Sequence, residues 1–190
     1  MLGIERMRCN VVAMVLSGAV SLASPVLGGQ TDVRLNALFD SLQVTDSETE
    51  AAAITNLVWA IWHESDNETV NTFMSKGVEE MASRNFEAAV SSFDKVIEVD
   101  PDFAEGWNKR ATVYYLMGEY QASIRDIEQT LALESRHFGA LSGLGLIQLA
   151  LGKGWEALKA FEAALKVNPH LTSPRAHVEE LRRHLRGRPI

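Results

Sequence analysis

The sequence predicts an all-α fold, an α-solenoid in which helix pairs stack in a row. The segment from Phe93 to Pro101 is nearly copied in the segment from Phe161 to Pro169. The offset between the two copies is twice the length of a helix–turn–helix solenoid unit, which is about 34 residues. Apolar residues recur with helical spacing between short polar or glycine-containing breaks, and no stretch alternates apolar and polar residues as a half-buried strand does.

The first segment, residues 1–28, is predicted to be a signal peptide that exports the protein to the periplasm or secretes it. Arg6 and Arg8 give a positive start, and an apolar stretch from Val11 to Val20 precedes small residues. The stretch is shorter than the about 20 apolar residues that span a bilayer. The alternative is an uncleaved membrane anchor. The single cysteine, Cys9, lies in this segment, so cleavage leaves no disulfide or thiol chemistry.

Residues 29–69 are predicted to form an N-terminal helical pair. Apolar residues from Leu35 to Leu42 follow the i, i+3, i+4, i+7 spacing of one buried helical face. A Ser-x-x-Glu capping box at Ser47 begins the second helix, and its apolar stripe runs from Ile54 to Trp62. A degenerate fourth repeat is the other interpretation of this pair, and the sequence leaves both open.

Three repeats of equal length are predicted in the centre of the chain, and they span residues 70–103, 104–137 and 138–171. Small residues occupy one position of each first helix, where the two helices of a pair are expected to cross closely: Gly77, Ala111 and Gly145. Large residues occupy one position of each second helix and are expected to fill the gap to the next pair: Phe93, Ile127 and Phe161.

Residues 172–190 are predicted to form a C-terminal capping helix with a basic tail. Pro174 suits the first turn of a helix, and Val178, Leu181 and Leu185 are spaced to face inward. The tail carries four arginines: Arg182, Arg183, Arg186 and Arg188. They are interpreted as a solvated last turn, and the alternative is a contact with a membrane surface or an acidic partner.

The composition argues against several classes of function. The net charge is −7, whereas nucleic-acid-binding proteins usually have a basic face. His177 and His184 are two helical turns apart, about 10.5 Å, which is too far to share one metal ion. No serine–histidine–aspartate set or carboxylate pair lies at a strand-to-helix turn, so no catalytic residues are predicted. We expect a non-enzyme without cofactor, metal, nucleic-acid partner or small-molecule substrate.

The repeated unit resembles the tetratricopeptide repeat (TPR), whose pattern alternates large and small residues at fixed positions. The last unit carries it most fully, with Leu144-Gly145, Ala157, Phe161 and Pro169. Lys76 and Arg110 depart from the pattern, which has leucine there, and Glu80 replaces an aromatic residue. Arg110 is expected to pair with Asp126, unless the departures loosen the helix packing. With a signal peptide, the chain is similar to small exported TPR proteins of Gram-negative bacteria.

The resemblance implies a non-catalytic scaffold that binds a protein segment on the concave face formed by the first helices. The expected lining residues are Asn71, Met74, Val78, Met81, Glu105, Asn108, Thr112, Tyr115, Ser142, Leu146 and Leu149. Family members that bind acidic chaperone tails have Lys, Asn and Arg there, but Met74 and Val78 occupy two of those places. The resemblance therefore implies an apolar peptide or amphipathic helix as partner. Alternatively, the N-terminal pair or the C-terminal helix covers some of these positions.

Overall fold

The computed structural model describes residues 29–186, and these residues form helices and loops without strands. The prediction of an all-α solenoid is confirmed. Residues 1–28, the predicted signal segment, and residues 187–190 lie outside the described part. The helices, in chain order, are α1 (Arg34–Val44), α2 (Glu48–His63), α3 (Glu68–Ala82), α4 (Phe86–Val99), α5 (Ala104–Met117), α6 (Tyr120–Leu133), α7 (Phe138–Ala150), α8 (Gly154–Val167) and α9 (Thr172–Leu185).

Three helix pairs, α3–α4, α5–α6 and α7–α8, form the solenoid. Within each pair the helices pack along their length, and the second helix also packs on the first helix of the next pair. Helix α9 closes the row against α8 through Val178, Leu181 and Leu185, which are buried as the sequence predicts. Pro174 lies in the first turn of α9, where no backbone N–H is needed. None of the described helices is long and apolar enough to cross a bilayer.

The small residues at the helix crossings are required by the packing of aromatic rings. A Cβ atom added to Gly77 would lie 2.6 Å from the ring of Phe93, and one added to Gly145 would lie 2.5 Å from the ring of Phe161. Both phenylalanines are fully buried, so neither ring has room to move away. Phe93 and Phe161 therefore pack at the helix crossing within their own pair, whereas the sequence predicted that they fill the gap between pairs.

The helix ends follow from local capping. The side chain of Asn67 accepts hydrogen bonds from the backbone N–H groups of Thr69 and Val70, at 2.9 and 3.3 Å. Helix α3 therefore begins at Glu68, just before the predicted start of the first repeat. Half of the predicted capping box at Ser47 is formed, because the Ser47 hydroxyl accepts a bond of 3.3 Å from the backbone N–H of Glu50. The Glu50 carboxylate accepts from the Thr45 hydroxyl at 2.6 Å instead of from the backbone N–H of Ser47.

Arg110 on α5 joins three helices, and its predicted bond to Asp126 is confirmed. Its guanidinium donates to Asp126 on α6 at 2.7 and 2.8 Å and to Asp94 on α4 at 2.6 Å. Burial alone lowers the pKa of Arg110, but the hydrogen bonds to these two carboxylates raise it above its usual value. The arginine that replaces the pattern's leucine thus provides a charged clamp between neighbouring repeats.

The N-terminal pair, called the hairpin below, consists of the short 3-10 turn Gly29–Thr31, α1 and α2, and it lies across the loops between repeats. Among the described helices, the packing that joins adjacent repeats, α4 on α5 and α6 on α7, has no counterpart between α2 and α3. The hairpin instead buries Leu35, Leu42 and Trp62 against Phe138 at the start of α7 and against Leu171 before α9. This position, across the row instead of at its end, brings α2 to the edge of the concave face.

Candidate protein-binding groove

Helices α3, α5 and α7 form the concave face, and most of the predicted lining residues lie in two hollows on it. One cavity of about 300 Å³ between α5 and α7 is lined by five of them: Asn108, Thr112, Tyr115, Ser142 and Leu146. A second hollow, of about 430 Å³ beside α3, is lined by three more of them: Asn71, Met74 and Val78. The part that these residues play in binding stays a prediction.

The cavity between α5 and α7 has a mainly apolar lining, although Thr112, Ser123 and Ser142 carry aliphatic hydroxyl groups and Tyr115 a phenolic one. Thr112 donates to the carbonyl of Asn108 at 2.9 Å, and Ser142 donates to that of Phe138 at 2.6 Å. Ser123 donates to the carbonyl of Ala111, also at 2.6 Å. These hydroxyls are turned into the helix backbones, so the cavity offers mainly methyl, methylene and ring surface. Such a lining suits an apolar side chain.

Gly143 contributes to the open volume of the cavity, a role that the sequence did not indicate. Gly145, two residues further along α7, has no room for a Cβ atom beside Phe161. A Cβ atom on Gly143, however, would meet only the Cδ1 atom of Ile127, at an ordinary contact distance of 3.7 Å. Glycine inside a helix costs about 0.5–1 kcal/mol relative to alanine. Gly143 thus keeps a space open that packing does not require.

The hollow beside α3 is bounded by the end of α2. His63 and Ser65 face Asn71 and Val78 across it, and the amide of Asn71 donates to the carbonyl of Ser65 at 2.7 Å. Val78 is exposed, whereas Met74 is buried beneath it. This part of the groove is more polar than the cavity between α5 and α7.

Two further predicted residues, Met81 and Leu149, lie in neither hollow and pack within the repeats. Met81 packs against the apolar cluster of α3 and α4, and Leu149 packs against the cluster of α8 and α9. Asn108 lies in the cavity wall but is buried, and its amide donates to Glu105 at 2.9 Å. These side chains support the walls of the groove and offer little surface to a partner.

The end of α2 covers the Glu105 end of the groove, as the alternative interpretation of the sequence allowed. The indole of Trp62 stacks on the imidazole of His137 with ring centroids 4.1 Å apart. Trp59 packs edge-on against Phe138, and its ring fills the space above Gly139, where a Cβ atom would lie 2.5 Å away. The aromatic residues of the hairpin therefore form one wall of the groove.

Glu105 is a fully buried carboxylate at the junction of α2, α5 and α7. His137 lies 3.0 Å and Asn108 2.9 Å from its Oε2 atom. Its Oε1 atom lies 3.1 Å from Lys109 Nζ and 3.2 Å from His63 Nε2, as charge contacts without hydrogen-bond alignment. Burial raises the pKa of Glu105, but the hydrogen bond to His137 and the positive charge of Lys109 act against it, and the pKa is lowered to about 2.

His137 has a structural role that its type alone did not reveal. Its Nδ1 atom accepts the backbone N–H of Ala140 at 3.1 Å and so caps the start of α7. The opposite ring nitrogen is then the donor to Glu105. Elsewhere, His177 stacks on Phe161 with centroids 4.8 Å apart. Across residues 29–186, no three His, Cys, Asp or Glu side chains are grouped so that they could hold a metal ion.

A sequence comparison places these features among known repeat proteins. The tetratricopeptide repeat family model matches residues 75–132 and 108–171. A TPR repeat-containing protein of Rhizobium etli is 36% identical over 154 residues, 81% of this chain and 76% of that protein. DnaJ homolog subfamily C member 3 of Mus musculus is 30% identical over 145 residues, which are 76% of this chain but only 27% of that protein.

Solved structures with similar folds contain the same stacked helix pairs. The first TPR of Spaghetti (RPAP3), bound to the HSP90 peptide SRMEEVD, superposes with a TM-score of 0.61 at 21% identity, covering 64% of this chain and 97% of that one. The crystal structure of MamA superposes with a TM-score of 0.58 at 20% identity, covering 80% and 81%. At these identities the likeness concerns the fold.

Proposed function

Because this chain belongs to the tetratricopeptide repeat family, we propose that it is a non-catalytic adaptor that binds an apolar protein segment between α5 and α7. The observation that carries this proposal is the cavity of about 300 Å³, in which the aliphatic hydroxyls of the lining bond to helix carbonyls and Gly143 leaves space open. A leucine or aromatic side chain of a peptide or amphipathic helix is the group that fits such a lining.

An acidic peptide is a less suitable ligand for this groove. The similar structure of the first TPR of Spaghetti (RPAP3) has the acidic peptide SRMEEVD bound. In the present chain, the hollow beside α3 is lined by Met74 and Val78 without lysine or arginine, and Glu105 places a carboxylate nearby. A ligand carboxylate in this hollow would meet the carboxylate of Glu64 in the lining and no lysine or arginine there to pair with it.

The test uses two labelled peptides and one filled cavity. An amphipathic 12-residue peptide with leucines on one helical face is expected to bind the wild-type protein, and SRMEEVD is not. Gly143→Leu is expected to weaken binding by at least about tenfold, which corresponds to about 1.4 kcal/mol. The same change is expected to raise thermal stability, because leucine favours the helix more than glycine does. Fluorescence anisotropy and thermal denaturation measure the two effects.

Ala150→Leu is the matched control, since Ala150 lies on the same helix, is exposed and is not part of the cavity lining. It should leave peptide affinity unchanged. Equal affinity of the Gly143→Leu and wild-type proteins for the leucine peptide, or tight binding of SRMEEVD alone, contradicts the proposed function.

The place of action proposed for the adaptor is the periplasm or the medium, on the basis of the signal-like segment 1–28. The second candidate is a membrane-tethered assembly subunit that keeps this segment as its anchor. N-terminal sequencing of the protein from its native host distinguishes the two, because an intact Met1 supports the tether and a start near Ala23 or Gly28 supports export.

A further inference from the structure

The hairpin contacts the same position in the loop that follows each of the three repeats. These loop positions are each one repeat length apart in the chain: Asp102, Arg136 and His170. The hairpin residues that meet them are also evenly spaced: Gln30, Asn36 and Leu42. Each advance of six residues along the hairpin thus corresponds to an advance of one repeat along the solenoid.

The first two contacts are made by side-chain amides of the hairpin. The amide of Gln30 donates to the carbonyl of Asp102 and accepts the backbone N–H of Ala104 at 3.3 Å. The side-chain oxygen of Asn36 accepts from the guanidinium of Arg136 at 2.8 Å. That guanidinium also lies 4.5 Å from the ring centroid of Phe39, one turn further along α1.

The third contact is made at the end of α1. The Nε2 atom of His170 lies 3.2 Å from the carbonyl oxygen of Leu42. The adjacent Gln43 donates to the carbonyls of Lys166 and Val167 at 3.2 and 2.8 Å, so it caps the last turn of α8.

Helix α2 returns along the same loops in the opposite order. Thr55 accepts from the amide of Asn168 at 3.0 Å in the third loop. Trp62 then stacks on His137 in the second, and His63 reaches Glu105 beside the first. The contacts of the 3-10 turn and α1, and those of α2, therefore each span the complete row of repeats.

The three loops that the hairpin contacts contain the same turn. In each, a polar side chain accepts the backbone N–H two residues later, at 3.2 Å for Asp100, 2.9 Å for Glu134 and 3.0 Å for Asn168. These acceptors are again separated by one repeat length. A repeated turn gives the hairpin equivalent contact points.

The spacing of the second step agrees with helix geometry, because Asn36 and Leu42 both lie in α1. Six residues of α-helix advance by about 9 Å, and packed helices lie about 8–10 Å apart. We infer that the hairpin is a strap that fixes the spacing of the three repeats. Without it, each repeat would be positioned only by its neighbours, as in an ordinary solenoid.

The strap also fixes the width of the cavity, because α5 and α7 belong to neighbouring repeats. This consequence rests on the proposed function, whereas the strap itself does not. Loss of the strap is expected to let the repeats move relative to one another and so change the shape offered to a ligand.

The experiment measures repeat spacing in the full chain without any ligand. In a Cys9→Ser background, nitroxide labels are attached at Glu79→Cys on α3 and Lys159→Cys on α8, both exposed positions. The strap variant combines Gln30→Ala, Asn36→Ala and Gln43→Ala. Pulsed electron paramagnetic resonance is expected to show a broader distance distribution than in the parent. In the unlabelled strap variant, amide exchange in each of the three loops should accelerate about fivefold, the effect of losing one hydrogen bond.

Asp40→Ala with Val44→Ala is the control, because both residues are exposed on α1. Its distance distribution and amide exchange should match those of the parent protein, with unchanged helical circular dichroism in all variants. An unchanged distribution in the strap variant, faster exchange in one loop only, or equal broadening in the control overturns the strap. None of these results depends on peptide binding, so a failure of the proposed function is recognised separately.

Discussion

Arg84 occupies a backbone position that is glycine in the other two repeats. The turn between the two helices of a repeat has a positive φ at Arg84 (58°), Gly118 (79°) and Gly152 (71°). These three positions are equivalent in the repeat register, and side chains rarely adopt this conformation because Cβ crowds the following carbonyl. The first repeat is therefore strained at a site where the others are relaxed.

Arg84→Gly is expected to stabilise the protein by about 0.5–1 kcal/mol, since the relief of strain exceeds the entropy that glycine adds to the unfolded chain. Chemical denaturation measures the change. Gly118→Ala is the reciprocal variant: its Cβ would meet no atom within 4 Å, so only backbone strain changes, and stability should fall. A loss of stability in Arg84→Gly would contradict this explanation.

Glu105 makes stability depend on pH in the acidic range. Its pKa is lowered from 4.5 to about 2 in the folded protein. The native state thus binds this proton less readily than the unfolded state, and the stabilisation is present above pH 4.5 and lost as pH falls towards 2. A difference of this size corresponds to about 3 kcal/mol.

Glu105→Gln is expected to lower stability at neutral pH and to flatten its decline across this acidic window, because the amide does not titrate. Urea denaturation at a series of pH values gives both curves. If the two curves ran parallel below pH 4.5, another carboxylate would have to account for the acid sensitivity.

Between helices, Arg110 links α4, α5 and α6 through two carboxylates. Arg110→Leu restores the residue type of the repeat pattern but leaves Asp126 almost buried with no cation. Breaking a buried pair in this way is expected to cost about 3–5 kcal/mol. The double variant Arg110→Leu with Asp126→Leu should regain most of this loss, because two apolar residues pack without an unpaired charge.

A double-mutant cycle by chemical denaturation measures this coupling. Asp94→Ala serves as the control, since Asp94 is half exposed and its pair with Arg110 is worth at most about 1 kcal/mol. A double variant no more stable than Arg110→Leu alone would show that the clamp is not the source of the loss.

At the scale of the whole molecule, the hairpin couples segments that a repeat array normally leaves independent. Trp62 is 1% exposed and contacts His137 and Phe138, far from it in sequence. Trp62→Ala is expected to reduce the free energy of unfolding by about 3–5 kcal/mol. Because the hairpin spans all the loops, amide protection should fall in α5 and α7 as well as in α1 and α2.

Hydrogen exchange followed by mass spectrometry locates the loss of protection. Leu57→Ala, on the exposed side of α2, should leave the protection pattern unchanged. Loss confined to the hairpin would mean that the repeats hold their arrangement without it.

The sequence by itself determined the solenoid, because its signals are local or periodic. Pro174 and the capping residue Ser47 act within one helical turn, and Gly77 and Gly145 act on a ring of the partner helix within the same repeat. The pair of Arg110 with Asp126 was also predictable, since repeat register places α5 against α6. The lining residues followed from the same register, which defines a face but not what covers it.

Only the tertiary structure decided where the hairpin lies and therefore which part of the groove stays open. Contacts such as Gln43 with Val167 and Trp62 with His137 join residues that are more than two repeats apart in the chain. No local pattern encodes such a pairing, because an amphipathic helix pair can bury its apolar face against either the end or the edge of a solenoid. The different roles of Gly143 and Gly145 likewise depend on which ring lies opposite each glycine.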